Sequence, residues 1–109
     1  MSRNILASRI TSNRSVLLAA LLVLMPTLNV ASAATTTELY NQSCVTCHGA
    51  AVLGAPKTGD KAAWNARMKK GMPTLVKNVK TGYKNMPAGG LCNTCTDAEL
   101  TNLIELMAK

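Results

Sequence analysis

The most constraining feature of the sequence is the run Cys44-Val45-Thr46-Cys47-His48. Two cysteines three positions apart are followed at once by the only histidine of the chain. On a helix, residues i, i+3 and i+4 share one face, so both thiols and the imidazole can point to the same side. This spacing is the attachment sequence of a c-type haem. The sequence therefore predicts one haem c, bound covalently through thioethers to Cys44 and Cys47, with His48 as an axial ligand of the iron.

A second C-x-x-C pair, Cys92 and Cys95, allows other interpretations of the cysteines. Four cysteines can bind zinc, but the gap between Cys47 and Cys92 far exceeds the roughly 15–20 residues usual between such pairs. A thioredoxin-like redox pair belongs in a βαβ context, and no such pattern is present. The chain also has no Phe, one Trp and two Tyr, so its core is under-filled unless another group occupies the centre. Haem is the favoured interpretation.

Residues 1–33 have the pattern of a secretory signal peptide that is cleaved on export. Three arginines and no acid precede an apolar run over residues 16–25, and the small residues Ala31-Ser32-Ala33 follow. The alternative is a retained membrane anchor, but such a run rises only about 15 Å as a helix, against a hydrocarbon core of roughly 30 Å. No twin-arginine pair is present, so a Sec-type signal and a periplasmic location are expected. The predicted mature domain is residues 34–109.

The charge of this predicted domain is positive and unevenly distributed. Residues 34–109 hold nine basic and five acidic side chains, and eight of the basic ones lie between Lys57 and Lys84. Nucleic acid is not expected as a partner of an exported protein, and the membrane is expected only through partner complexes or a retained signal segment. Redox proteins with acidic docking patches suit the basic segment better, although a merely solvated helix face is the alternative. The lysines expected to steer docking are Lys57, Lys61, Lys69, Lys70, Lys77, Lys80 and Lys84.

About four helices and no strand are predicted, which indicates a small all-α fold. The first and last helices begin with capping boxes, Thr35-x-x-Glu38 and Thr96-x-x-Glu99. The first runs into the haem motif, a second covers 60–70, and a third covers 72–81 with a proline in its first turn. Apolar residues recur along the last helix at i, i+3, i+4 and i+7. They are Leu100, Leu103, Ile104 and Met107.

The second axial ligand of the iron is expected to be a methionine, because the chain has only one histidine. Met68, Met72 and Met107 fit helices, where a methionine more often packs in the core than binds a metal. Met86 lies instead in the irregular stretch 83–90, whose proline and glycines suit a turn. A loop there can carry the thioether to the face opposite the histidine. Met86 is the predicted ligand, and Met72 is the alternative.

Several short motifs accompany the haem motif and Met86. They are Tyr40-Asn41-Gln42-Ser43 before the haem motif, Gly54-Ala55-Pro56-Lys57, Gly59-Asp60, Trp64, Gly82-Tyr83, Met86-Pro87, Gly90 and, most specifically, Cys92 and Cys95. On these residues the chain resembles the cytochrome c5 family over essentially the whole of residues 34–109. The resemblance implies a class I cytochrome c fold of about four helices around one covalent haem with His48 and Met86 as ligands. It also implies a periplasmic one-electron carrier that is not an enzyme. In this family the second cysteine pair is a disulfide, which an oxidising compartment also favours, with a catalytic dithiol as the alternative.

Two residues outside the iron's ligand set are expected to support the haem. The carbonyl of Pro56 could accept the N–H of the axial imidazole and so fix the orientation of the ring. Trp64 could pack on the haem or donate its indole N–H to a propionate, with plain core packing as the alternative. Arg67 could pair with a propionate or remain solvent-exposed.

Filled axial positions leave no substrate site at the iron, so one-electron transfer through an exposed haem edge is the predicted function. The electrons would pass between respiratory or other redox partners. Three alternatives stay open. One is a ligand-binding haem sensor in which Met86 is absent from the iron or easily displaced. The others are a non-haem disulfide or zinc module and an electron-entry subunit of a larger oxidoreductase.

Overall fold

The computed structural model describes residues 32–109, and residues 1–31 of the predicted signal segment lie outside the described residues. Within residues 32–109 the fold is all-α and has no strand, which confirms the predicted fold class. None of the helices in this part of the chain is both long and apolar enough to cross a bilayer. The helices are α1 (Thr36–Ser43), α2 (Val45–His48), α3 (Lys61–Met68), α4 (Met72–Thr81) and α5 (Asp97–Ala108), with 3₁₀ turns at Val52–Gly54 and Ala88–Leu91.

The helices begin where the sequence places their caps. The Glu38 carboxylate accepts the N–H of Thr35 at 2.7 Å, and the Thr35 hydroxyl accepts the N–H of Glu38 at 3.3 Å. The same reciprocal pair forms between Thr96 and Glu99 at the start of α5. The Asp60 carboxylate accepts the N–H of Ala63 at 3.0 Å and caps α3. Each cap satisfies backbone donors that have no partner inside the helix.

The first predicted helix is divided into two in the structure. Cys44 has φ −110° and ψ −35°, a departure from helical φ that ends α1 and starts the short helix α2. The chain therefore has five helices rather than four in the described residues, and the haem motif occupies its own helical turn. The second predicted helix also ends earlier, at Met68, because the N–H groups of Lys70 and Gly71 donate to carbonyls three residues back, each at 3.0 Å.

The core lies along α5. The residues predicted to share one face of this helix are all buried, from 1% exposure at Leu103 to 4% at Leu100, which confirms the periodicity. Leu39 and Tyr40 of α1 pack against this core without any aromatic from α5, so the crossing is filled from the α5 side by aliphatic side chains. The core is completed from α3 and α4 by Trp64, Leu75 and Val76.

The loop between α2 and α3 is fastened at its far end to three parts of the molecule. The N–H of Thr58 donates to the carbonyl of His48 at 2.8 Å, and the N–H of Gly59 donates to the carbonyl of Met107 at 2.8 Å. The hydroxyls of Thr58 and Tyr40 share a hydrogen bond of 2.9 Å. These bonds hold residues 49–59 against α2, where the loop forms one wall of the site.

Candidate haem site

A cavity of about 360 Å³ opens to the surface between the loop 52–56 and the loop 83–91. Helices α3 and α4 contribute side chains to its remaining walls, and most of the lining is apolar. All six residues that the sequence associates with the haem line this one cavity. They are Cys44, Cys47, His48, Pro56, Trp64 and Met86.

The two thiols of the haem motif are half-buried and belong to no disulfide. The N–H of His48 donates to the carbonyl of Cys44 at 2.9 Å, a helical bond that keeps positions 44 and 48 one turn apart. The predicted shared face is therefore formed by the short helix α2. Burial raises the pKa of the Cys44 thiol, because an apolar surrounding disfavours the thiolate.

The imidazole of His48 is buried, with 7% exposure, and its orientation is set by the loop that follows it. Its Nδ1 lies 2.9 Å from the carbonyl oxygen of Pro56. A carbonyl oxygen only accepts, so Nδ1 carries the proton and donates it to this bond. The lone pair of a neutral imidazole is then on Nε2, the nitrogen that remains available to a metal. The Pro56 carbonyl is in the position that the sequence suggested.

Met86 is the one methionine of residues 34–109 that lines the cavity. Met107 is buried in the core with 3% exposure, while Met68 and Met72 pack against that core from α3 and α4. Met86 itself is held by a two-residue antiparallel bridge to Tyr83, with N–H···O distances of 2.9 and 3.0 Å. Of the two candidate ligands, Met86 lines the cavity and Met72 does not.

Gly90 packs directly against the end of the Met86 side chain. A Cβ built on Gly90 would lie 2.7 Å from Met86 Cε and 3.5 Å from Val79 Cγ1, and Gly90 has φ +55°. A contact as short as 2.7 Å cannot be accommodated without movement of the methionine. The absence of a side chain at this position therefore makes room for the thioether.

Trp64 and Arg67 make contacts within the protein that the sequence did not predict. The indole N–H of Trp64 donates to the carbonyl of Lys57 at 2.9 Å, while the ring is 4% exposed and its centroid lies 5.9 Å from that of His48. The Arg67 guanidinium donates to the carbonyl of Ala63 at 2.7 Å and lines the cavity. Trp64 thus serves the core and the cavity wall together.

The second cysteine pair lies outside the cavity. The sulfur atoms of Cys92 and Cys95 are in bonding contact and their Cα atoms are 5.4 Å apart, within the range of a disulfide. The pair connects the 3₁₀ turn Ala88–Leu91 to the cap of α5. No group of three or more His, Cys, Asp or Glu side chains in residues 32–109 is arranged to hold a metal ion by itself, and Cys92 and Cys95 lie apart from the cavity that Cys44 and Cys47 line.

Basic and apolar side chains share the rim of the cavity, a feature that sequence reasoning only partly anticipated. The ammonium of Lys70 lies 3.3 Å from the Tyr83 hydroxyl, and that of Lys84 lies 5.6 Å from the Tyr83 ring centroid. The hydrogen bond from Lys70, with the charges of Lys70 and Lys84, lowers the pKa of Tyr83. Leu53 and Leu91 are exposed on the same rim, by 71% and 60%. The sequence signals for this arrangement are the basic segment between Lys57 and Lys84 and the short motif around Tyr83, and neither marks Leu53 or Leu91.

The residues around the cavity fit a covalently attached haem. Two unpaired thiols, a buried imidazole with one nitrogen already engaged, and a thioether whose methyl group packs on a glycine are the donor set of such a group. Apolar walls suit a macrocycle, and the open side would leave one edge of it accessible.

Comparison with known proteins identifies the relatives of the chain. Residues 31–107 match the family model described as cytochrome C oxidase, cbb3-type, subunit III. Cytochrome c-555 of Chlorobaculum tepidum is 47% identical over 72 residues, covering 62% of this chain and 67% of that protein. Cytochrome c5 of Ectopseudomonas mendocina is 40% identical over 73 residues, covering 65% and 84%.

Solved structures agree with these matches. A mono-haem ferrocytochrome c from Shewanella putrefaciens has a TM-score of 0.65 and 44% identity, covering 72% of this chain and 98% of that one. A chain from the electron transfer complex of nitrite reductase with cytochrome c has a TM-score of 0.61 and 34% identity, covering 68% and 94%. Such homologues are electron-transfer proteins rather than enzymes, and members of the family bind one covalently attached haem c. The chain therefore belongs to the cytochrome c5 family of small monohaem class I cytochromes c.

Proposed function

We propose that this chain is a periplasmic one-electron carrier whose haem is attached through Cys44 and Cys47 and ligated by His48 and Met86. The observation that carries the proposal is that one apolar cavity is lined by both thiols, the buried imidazole and, of the methionines in residues 34–109, Met86. The haem iron, when bound, supplies a ferric–ferrous couple that takes up or releases one electron. The haem would be attached on the α2 side of the cavity and capped from the loop 83–91, which we call the methionine loop.

The protein's contribution is to hold its ligands still. Pro56 holds the imidazole proton on Nδ1, so Nε2 is available in either oxidation state and the ring does not turn. The Tyr83 bridge and Gly90 restrict the position of the Met86 thioether. Because both ligands come from fixed protein groups, little would have to move when the charge changes by one unit. A fast carrier needs that small rearrangement.

The proposed partners are redox proteins that present acidic docking patches. Lys70 and Lys84 lie on the rim of the cavity, where a partner would approach the haem edge. Lys80 is an exposed partner of Asp97 at 2.7 Å and lies in a different groove with Lys77, so it is a weaker candidate. The related cytochrome c in a complex with nitrite reductase is an example of a redox-protein partner. Opposite charges would accelerate association and orient the two proteins.

Export as a cleaved precursor is part of the same proposal. The family match begins at residue 31, just past the apolar run 16–25, so the matched domain and the predicted signal segment 1–33 adjoin each other. We assign residues 34–109 to the mature carrier in the periplasm. In that oxidising compartment Cys92 and Cys95 form a disulfide, for which their sulfur contact and Cα separation are suited.

The test is intact mass combined with visible spectroscopy on protein made in a host that matures c-type cytochromes. We expect the mass of residues 34–109 plus one haem, and a weak thioether-to-iron band in the oxidised protein. Met86→Ala should abolish that band, whereas Met72→Ala, the matched control, should keep it. A polypeptide without added mass would refute covalent attachment. A band that survives Met86→Ala would refute the ligand assignment.

A further inference from the structure

The two loops at the mouth of the cavity are joined by one side-chain hydrogen bond. Asn85 Nδ2 donates to the carbonyl oxygen of Leu53 at 3.2 Å, across 32 positions of sequence. In the described part of the chain, no other side-chain hydrogen bond connects the segments 52–56 and 83–91. The donor residue directly precedes Met86. The bond therefore ties the methionine loop to the opposite wall one residue from the proposed ligand.

The backbone on both sides of this bond has a conformation that residues other than glycine seldom adopt. Leu53, the acceptor, has φ +53°, and Lys84, the neighbour of the donor, also has φ +53°. Such conformations cost free energy and persist only where the surrounding structure enforces them. Leu53 gains no burial in return, since its side chain is 71% exposed. Packing of this side chain therefore does not account for the strained turn, and the carbonyl of Leu53 is the acceptor of the contact across the cavity mouth.

The other supports of Met86 all lie on its own side of the cavity. The bridge to Tyr83 is within the loop, and Gly90, which packs on Met86 Cε, belongs to the 3₁₀ turn Ala88–Leu91 of the same segment. None of these contacts prevents the loop from swinging away from the wall formed by Leu53. Asn85 supplies that restraint.

We propose that Asn85 is a positioning residue that clasps the methionine loop to the turn at Leu53 and so sets how often Met86 leaves the iron. This inference rests on the proposed function, in which Met86 is an axial ligand. Loss of the clasp would leave the ligand set unchanged while making the sixth coordination position open more often.

The test measures binding of imidazole to the oxidised holoprotein, with the rate followed up to saturating imidazole. At saturating imidazole the binding rate is limited by dissociation of the Met86 sulfur from the iron. Asn85→Asp keeps the size of the side chain but cannot donate to a carbonyl oxygen at neutral pH. We expect this variant and Asn85→Ala to raise the limiting rate about three- to tenfold, as expected for one ordinary hydrogen bond. Asn65→Ala is the control, because Asn65 is exposed on α3 and does not line the cavity.

Amide hydrogen exchange of Met86, whose N–H donates to Tyr83 at 2.9 Å, reads the loop without reference to the iron. We expect faster exchange in both Asn85 variants and not in the control. An unchanged imidazole rate in Asn85→Asp would overturn the proposal, whether or not exchange is faster. If the oxidised wild-type protein lacks the absorption band of methionine ligation, the ligand assignment is refuted instead. Amide exchange at Met86 would then still report whether Asn85 holds the loop.

Discussion

The ammonium of Lys70 donates to the hydroxyl of Tyr83 at 3.3 Å and also lies 5.0 Å from the centroid of its ring. One cation thus contacts both the polar end and the face of the same aromatic residue. The contact joins the turn after α3 to the start of the methionine loop, on the rim of the haem cavity.

Replacement of Lys70 by Met is expected to raise the pKa of Tyr83. The hydrogen bond and the positive charge of Lys70 both favour the phenolate, so their removal favours the protonated phenol. A pH titration of the Tyr83 ring resonances by NMR measures the shift. Lys77→Met, which removes an equal charge from a different groove, is the matched control. Identical Tyr83 titrations in the two variants would contradict the role of Lys70.

Gly90→Ala is expected to lower the free energy of unfolding by about 1–3 kcal/mol and to weaken thioether ligation. The left-handed backbone supplies a stability cost, and the new methyl group would displace Met86 Cε. Denaturant unfolding and the visible spectrum measure the two effects. Gly59→Ala separates them, because Gly59 has φ +83° with open space where a new methyl group would point. The Gly59→Ala variant should lose stability and keep the visible spectrum. A normal spectrum in Gly90→Ala would show that the contact between Gly90 and Met86 is not needed for ligation.

Reversal of charge at the cavity rim is expected to slow electron exchange with an acidic redox protein. The rate constant of electron exchange should be at least about tenfold lower for the Lys70→Glu, Lys84→Glu double variant at low ionic strength, which is the lower end of electrostatic steering effects. The control is Lys61→Glu, Lys77→Glu, which changes the net charge by the same amount at positions outside the cavity lining. Stopped-flow kinetics at rising salt should bring the variants together as screening increases. Equal slowing in both doubles would mean that only net charge matters.

Glu99→Gln is expected to remove part of the acid sensitivity of the fold. Hydrogen bonds from the Thr96 backbone and side chain lower the pKa of Glu99 from its ordinary value of 4.5. A carboxylate with a lowered pKa stabilises the folded state above its unfolded pKa, and that contribution disappears as the pH falls through the folded pKa. The free energy of unfolding, measured from pH 7 downward, should therefore decline less steeply in the variant than in the wild-type protein. Glu105→Gln, in the same helix but outside the capping box, is the comparison, and equal slopes in both would argue against the cap.

Replacement of Cys92 and Cys95 by Ser is expected to lower the free energy of unfolding by about 2 kcal/mol while the haem spectrum stays unchanged. The ring closed by the pair is small, so it removes little freedom from the unfolded chain. Thermal unfolding of the ferrous proteins gives the difference. A phosphine reductant should destabilise the wild-type protein and not the variant. If the wild-type protein is insensitive to the reductant, Cys92 and Cys95 are not bonded to each other.

Local sequence signals predicted the helices well, because caps act within three or four residues. Thr35 with Glu38 and Thr96 with Glu99 bind each other at the helix starts that they predict. The break at Cys44 was missed, because nothing in residue preference marks it and the helical hydrogen bonds continue on both sides. A single helix was the natural expectation from the sequence.

The cavity was predictable only as a set of separate residues. Spacing identified Cys44, Cys47 and His48, but Met86 and Met72 are distinguished in space by which one reaches the cavity. The left-handed turn at Leu53 and its bond to Asn85 had no sequence signal, since leucine does not favour such backbone and the partners are far apart along the chain. Contacts of that kind are decided by tertiary structure.

The hydrogen bond from Gly59 to the carbonyl of Met107 has a consequence for how the molecule comes apart. One backbone segment, residues 56–59, bonds the last turn of α5 through Gly59 and presents the carbonyl of Pro56 to the imidazole. Detachment of the C-terminal helix removes one of the three fastenings of that segment, while Thr58 keeps its bonds to His48 and Tyr40. Peeling of the chain terminus would therefore loosen the loop without by itself freeing the imidazole.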